Sequence, residues 1–441
     1  MALTRPVPLV GRPPTPRTPP DPAEPPADAA RLETLLGDPR DPGNPYGRAA
    51  LRAAGHVGLP APPAGLPGAE GPPPAADRLA RALRPLFRRD LALAHAWSIR
   101  PLLGAPVPHP AAALLGPAAL IAAGGGVLRG AARIVDGLGR YEPGARQWQP
   151  VLASAWADLL ACESLTVVAL RSRPRPAPLA AGPEPAREPG EGLVALVGYL
   201  VPQLVGELLD DLELVLDECG FDGDTPERRT LAKLVGDRAF AGVDWTAASA
   251  AQARIVRGLS GAGGSWPGAG DGAGDGTECA ALFRITEAAP VGAPGTDRVQ
   301  AVAATLAGAT ARLAGADGPD SAALARVGRR LVIEQRALTA ACAATAVHDP
   351  ADPGARALAD RQALLMLAAA ALGVREAAAG ARLPFLGGAG WALLALGRIT
   401  ERLGLPLPDR TPDPQPGVWA ELARRGALGA DCDLYATRLR W

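Results

Sequence analysis

The chain has 441 residues, a formal net charge of zero and 48% apolar residues, while aromatic residues make up only 4%. This length allows two or three domains, and a balanced charge without a basic face argues against a nucleic-acid partner. The apolar residues are mostly Ala, Leu and Val, a composition that favours helices, and no alternating strand pattern with hairpin turns occurs. The sequence therefore predicts an all-α protein built from helical bundles.

The cysteines and the N-terminal residues bear on the cellular location of the protein. Five cysteines are spread along the chain without a CxxC pair, which is typical of reduced, mostly buried thiols in a cytosolic protein. The first thirty residues are rich in proline and hold no apolar core segment, so they do not form a signal peptide. The uncharged run 111–128 contains Pro117 and is a poor membrane span. We expect a soluble, cytoplasmic protein with no membrane partner.

Composition divides the chain into five segments. The N-terminal segment carries PVP, RPPTPRTPPDP and EPP, which predicts disorder because such sequences cannot bury enough apolar surface. The stretch GAGGSWPGAGDGAGDG has the composition of a flexible tether. The predicted boundaries are 1–28 for the disordered tail, 29–105 for an N-terminal helical region, 106–260 for a helical bundle, 261–280 for the glycine-rich linker and 281–441 for a C-terminal helical extension.

The most strongly patterned stretch runs over residues 192–220 and is followed by TLAKLVGDRAFAGVDW at 230–245. Apolar residues recur every three or four positions in the first part, which predicts a buried bundle helix of about eight turns. Its second half is acidic, where the helix dipole disfavours negative charge, so these carboxylates should have arginine partners or face water. Thr225, followed by Pro226, is a typical start for the next helix.

Motifs that carry chemistry are few. The glycine-rich stretch lacks the lysine and hydroxyl of a phosphate loop, so a linker is the favoured interpretation. His56, His95, His109 and His348 are isolated, and none lies at metal-ligand spacing from another ligand, so no metal site is expected.

Three stretches carry a family resemblance. They are RLETLLGDPRDPGNPYGRAAL with ADRLARALRPLFRRDLALAH, then LGRY with VLASAWADLLACESLTVVALR, and then VGYLVPQLVGELLDDLELVLDECGF with LAKLVGDRAF. They resemble the N-terminal helical domain and the first two helix pairs of the C-terminal bundle in the acyl-CoA dehydrogenase family. The likeness is to its long actinobacterial members, which have an additional helical C-terminal region. The resemblance implies a C-terminal bundle like that of the family.

The resemblance also implies FAD as cofactor and an acyl-CoA thioester as substrate. In the family, an arginine near a Tyr or Phe and a Gly approaches the flavin pyrophosphate across a subunit interface. Arg140 with Tyr141 is the matching position here. The usual Phe-Gly neighbour is missing and a few residues are deleted after the pair, which weakens Arg140 as a flavin contact.

Two departures from the family concern the active site. The family places a β-barrel that grips the flavin ring and the thioester between the positions matched by Ala94 and Ala118, where about twenty-five residues are too few for a barrel. The family's catalytic glutamate falls on Trp245 in an ungapped overlay, with Asp244 beside it. Asp244 is thus a weak candidate for the base, because a base must reach its proton within hydrogen-bond distance. A helix N-cap is the favoured role for this residue.

These observations predict a degenerate, helical dehydrogenase-family subunit that forms a homo- or hetero-oligomer and supports a catalytically complete partner. The missing barrel and base argue against dehydrogenation by this chain alone, with FAD binding weak or lost. Two alternatives stay open. One is an active FAD-dependent acyl-CoA dehydrogenase, and the other is a helical scaffold with no link to thioester chemistry.

Overall fold

The computed structural model describes residues 21–63, 65–67, 74–106, 108–139, 141–173, 191–219, 225–261, 276–290, 298–315, 318–344, 349–409 and 411–441. These residues form helices joined by turns and loops. Their only β-type pairing is an isolated antiparallel bridge between Ala430 and Arg438. The predicted all-α fold class is confirmed.

The N-terminal part of the described chain forms five helices. Asp90 interrupts the helical path, because its backbone is extended (φ −169°, ψ 131°) and its side chain accepts a hydrogen bond from the N–H of Leu93. A π-helical turn over His95–Ile99 then joins the short helix before it, Leu91–Ala94, to the short helix after it, Arg100–Leu103. The helices are α1 (Ala27–Leu36), α2 (Arg48–Ala54), α3 (Ala76–Arg89), α4 (Leu91–Ala94) and α5 (Arg100–Leu103).

A long central helix organises the middle of the chain. This helix is α7 (Gln149–Arg171), which is buried along nearly its whole length. It packs against helices from both the middle and the last third of the sequence. The other helices of this part are α6 (Ala112–Leu138), α8 (Glu191–Glu218), α9 (Pro226–Phe240) and α10 (Trp245–Gly261).

The last third of the chain packs onto the same core. Its helix α14 contacts both α7 and α10, and one cluster of buried apolar residues extends from Leu32 to Leu434. The predicted N-terminal region, bundle and C-terminal extension therefore share a core. The helices are α11 (Gly276–Phe283), α12 (Arg298–Leu313), α13 (Pro319–Ala344), α14 (Pro353–Gly380), α15 (Gly390–Arg402) and α16 (Gln415–Leu428).

The predicted tail and linker lie partly outside the described residues. Residues 21–26 lie against the folded body, since Arg81 donates to the carbonyl of Pro22 at 2.7 Å and the N–H of Arg438 donates to the carbonyl of Ala23 at 2.8 Å. These residues belong to the predicted tail, 1–28, and they contact the folded body. The first twenty residues and 262–275 of the predicted linker lie outside the described residues.

Among the residues that the structure describes, four segments are long and apolar enough to cross a membrane, judged by length and composition alone. Their most apolar windows are between 72% and 94% buried inside the protein, so other helices of the chain cover these faces. Burial of this kind is typical of core helices in a bundle. The predicted cytoplasmic location stays a prediction. The segments are Ala112–Leu138, Pro143–Arg171, Glu191–Glu218 and Pro353–Gly380.

A buried ion cluster fixes the C-terminal segment 429–441 to the bundle. Arg84 on α3 donates to Asp431 at 2.8 Å and to Glu163 on α7 at 2.7 Å, and Arg88 donates to Asp431 at 2.7 Å. Burial raises the pKa of Glu163 to about 8. Burial also acts to raise the pKa of Asp431, but Arg84 and Arg88 hold it well below its usual range. Two arginines on α3 therefore clamp the end of the chain against α7.

We expect Asp431→Asn to destabilise the protein by about 3–5 kcal/mol, because it leaves Arg84 and Arg88 buried without their shared carboxylate. Urea unfolding measures the loss. Asp21→Asn is the matched control, since the Asp21–Arg438 ion pair is 47% and 71% exposed and should contribute less than about 1 kcal/mol. Equal losses for the two variants would contradict the role given to the buried cluster.

Candidate functional site

Several titratable side chains meet where α9 packs against α4. Lys233 is the only lysine in the sequence. Its Nζ lies 2.6 Å from an oxygen of Asp90 and 2.6 Å from an oxygen of Asp237. The two carboxylates are only 4% and 3% exposed. We refer to Asp90, Lys233 and Asp237 as the Lys233 cluster.

Local sequence places each member of the Lys233 cluster. Lys233 and Asp237 are four residues apart on α9 and so share one face of that helix. Asp90 precedes α4 and accepts from the N–H of Leu93 at 2.8 Å, while Asp237 accepts from the N–H of Ala92 at 3.4 Å. Both carboxylates therefore satisfy backbone donors at the start of α4, where a helix favours negative charge.

The electrostatics of the Lys233 cluster favour a charged lysine. Burial raises the pKa of Asp90. Burial acts to lower the pKa of Lys233, but the carboxylates of Asp90 and Asp237 outweigh it and raise that pKa. A lysine can act as a base or nucleophile only when it loses its proton. Lys233 is thus held as an ammonium ion and serves as a counter-ion.

An aromatic group lies beside the Lys233 cluster. The His56 ring stacks on Phe240 with centroids 4.6 Å apart, and the His95 ring meets Phe240 edge-on at 4.9 Å. His56 Nδ1 is 3.5 Å from an oxygen of Asp237, which is long for a hydrogen bond. Burial lowers the pKa of His95. His56 is 42% exposed, so Asp237 connects the cluster to an imidazole at the surface.

Asp244, the candidate base, has a structural role in the described chain. One of its oxygens accepts from the N–H groups of Thr246 and Ala247, each at 3.1 Å, which makes Asp244 the N-cap of α10. The neighbouring Trp245 is 62% exposed.

Of the two predicted flavin contacts, the structure describes only Tyr141, which lies at the far end of α6 from Asp244. Tyr141 follows the end of α6 and is 85% exposed, and Arg140 lies outside the described residues. Val243, next to Asp244, lies beside Gly116 near the start of α6, where a Cβ would come within 3.1 Å of Val243. From Gly116 to the end of α6 is about 33 Å at the rise of an α-helix. A single chain therefore does not bring Tyr141 and Asp244 together.

The described residues define an all-helical fold in which a charged, partly buried lysine lies between two buried carboxylates. Among the described residues, no group of three or more His, Cys, Asp or Glu side chains is placed to hold a metal ion. The cysteines Cys162, Cys219, Cys279, Cys342 and Cys432 are free, and two of them are fully buried. No protein-family model, curated protein or solved structure matches the chain.

Sequence reasoning did not predict the Lys233 cluster, although one signal was available. Every other basic residue apart from histidine is arginine. An isolated lysine in such a chain indicates a position that favours a compact ammonium group, since a guanidinium is larger and planar. The sequence could not show that Asp90 pairs with Lys233, because Asp90 comes from a distant part of the chain.

We expect Lys233→Met to destabilise the protein by about 3–5 kcal/mol at neutral pH, because it leaves two buried carboxylates side by side without a cation. The loss should shrink toward pH 5, since one carboxylate can then take up a proton. Urea unfolding at both pH values measures this. The control is Asp217→Asn on the partly exposed Asp217–Arg228 pair (45% and 34%), which should cost less than about 1 kcal/mol. If Lys233→Met lost only as much stability as the control, and equally at both pH values, Lys233 would not be the counter-ion of the two carboxylates.

Two substitutions test the capping role of Asp244. Asp244→Ala should cost about 1 kcal/mol, because two backbone N–H groups lose their acceptor, whereas Asn caps as well as Asp and should leave stability nearly unchanged. Thermal unfolding followed by circular dichroism measures both. If the two variants unfold at the same temperature, the Asp244 side chain does not stabilise α10 as its N-cap.

Proposed function

We propose that this chain is a degenerate helical subunit of the acyl-CoA dehydrogenase family, which supports α,β-dehydrogenation of an acyl thioester by a catalytically complete partner. The main support is the route of the chain between α5 and α6. α5 ends at Leu103 and α6 begins at Ala112, so the position of the family's barrel is taken by a short connection. A flavin ring bound to this chain would lack the wall that the barrel supplies.

The chemistry of the described residues favours a supporting role. A base for α-proton abstraction needs a free lone pair within reach of the substrate. Asp244 caps α10, Lys233 holds its proton, and Asp90 and Asp237 are buried against that lysine. These groups stabilise helix packing, so the proposal assigns proton abstraction and hydride transfer to the partner.

The packing of the resembling helices supports the same proposal. The pair α6 and α7 carries one resembling stretch, and the pair α8 and α9 carries another. α8 contacts both helices of the first pair. A bundle of this kind can retain oligomer-forming surfaces after the sheet portion has been lost. A family subunit that lost its barrel would keep this part as its folded core.

Co-expression with a complete acyl-CoA dehydrogenase tests the proposal. We expect the chain purified alone to lack visible flavin absorbance, and the tagged chain to co-purify with the dehydrogenase in a fixed ratio, with FAD present in the complex. Arg140→Ala should lower the flavin content of that complex, while Arg146→Ala, whose guanidinium donates to the carbonyl of Gly139 at 2.8 Å, is the control.

Two other results separate the alternatives. A yellow protein that is bleached by an acyl-CoA when purified alone would indicate an active dehydrogenase. A chain that never co-purifies with the dehydrogenase, and whose melting temperature responds to neither FAD nor acyl-CoA, would indicate a scaffold without thioester chemistry.

A further inference from the structure

Helix α9 buries Leu231 and Leu234, and past its first turn the exposed positions carry no charge. Past the first turn, Lys233 and Asp237 pair with each other and with Asp90 beside α4. Arg238 donates to the carbonyl of Pro202 on α8 at 2.9 Å. A surface helix normally presents charged residues to water on its exposed side. The exposed positions of this stretch are all uncharged, and we call them the α9 face: Ala232, Val235, Gly236, Ala239 and Phe240.

The shape of the α9 face suits close contact with another surface. Val235 is 45% exposed and Phe240 is 37% exposed, so both leave apolar surface in water. A Cβ placed at Gly236 would meet nothing within 4 Å. A groove of about 220 Å³ between α8 and α9 borders the face and is lined by Leu216, Leu231, Ala232, Val235, Glu213 and Arg228. The surface thus offers a ridge and a groove side by side.

We propose that the α9 face is the contact surface of a two-fold dimer of this chain. In such a dimer the same patch is used on both copies, so it must be complementary to itself. A ridge at Val235 next to a groove meets that condition, because the ridge of each copy can enter the groove of the other. The inference does not depend on the proposed function, since it concerns two copies of this chain alone.

Charge also favours a second copy as the occupant. The α9 face carries no charge, and its rim holds one carboxylate at Glu213 and one guanidinium at Arg228, which is paired with Asp217. The whole chain has a net charge of zero. Two copies therefore approach without the like-charge repulsion that a strongly charged surface would impose.

Analytical ultracentrifugation of the purified full chain tests the dimer. We expect the wild type to sediment as a dimer that dissociates on dilution. Val235→Glu should raise the dissociation constant by about 100-fold or more, since it places a charge at the centre of an apolar contact. Ala239→Arg should have the same effect from a second position on the α9 face. Circular dichroism checks that both variants are folded.

The matched control is Ile333→Glu, because Ile333 on α13 is another helical apolar residue and is 58% exposed. We expect this control to leave the dissociation constant unchanged. A wild type that is monomeric at every concentration would overturn the inference, even if it then bound a dehydrogenase. A dimer unaffected by Val235→Glu and Ala239→Arg, or weakened as much by Ile333→Glu, would also overturn it.

Discussion

The ammonium group of Lys233 between two buried carboxylates determines how α9 is placed. Asp90 and Asp237 are almost fully buried, and two carboxylates so close together need a cation to remain charged. The edge of α9 that carries Lys233 and Asp237 must therefore face α4. The opposite side of the helix then faces water, although it carries no charge beyond the first turn. One local electrostatic requirement thus leads to an apolar outer surface.

Buried contacts between distant parts of the sequence hold the rest of the bundle together. Arg84 on α3, Glu163 on α7 and Asp431 in the C-terminal segment form one buried cluster. Trp156 on α7 donates to the carbonyl of Cys432 at 2.8 Å and stacks on Phe385 with centroids 4.9 Å apart. The end of the chain is therefore part of the core.

Much of the fold could be predicted from local sequence patterns. The apolar repeat over 192–220 predicted a bundle helix, and α8 spans Glu191–Glu218. Thr225 was expected to begin the next helix, and its side chain accepts from the N–H of Arg228 at 3.3 Å. These features depend on residues a few positions apart, so the sequence contains all the information that they need.

The candidate site was less accessible to sequence reasoning for a physical reason. Lys233 and Asp237 are visible as neighbours on one helix, but their partner Asp90 and the aromatic contact between His56 and Phe240 arise only from tertiary packing. Periodicity also could not orient α9, because apolar residues occur on both its buried and its exposed sides. Asp244 was correctly weighed as a helix N-cap because capping is a local property.

Hydrogen–deuterium exchange across a protein concentration series tests most directly whether the Lys233 cluster orients α9 so that the α9 face forms a dimer contact. We expect backbone amides of residues 231–240 to exchange more slowly as concentration rises, while those of the buried helix α15 do not change. In Lys233→Met the concentration dependence in α9 should disappear. Exchange in α9 that is the same at every concentration in the wild type would contradict the account.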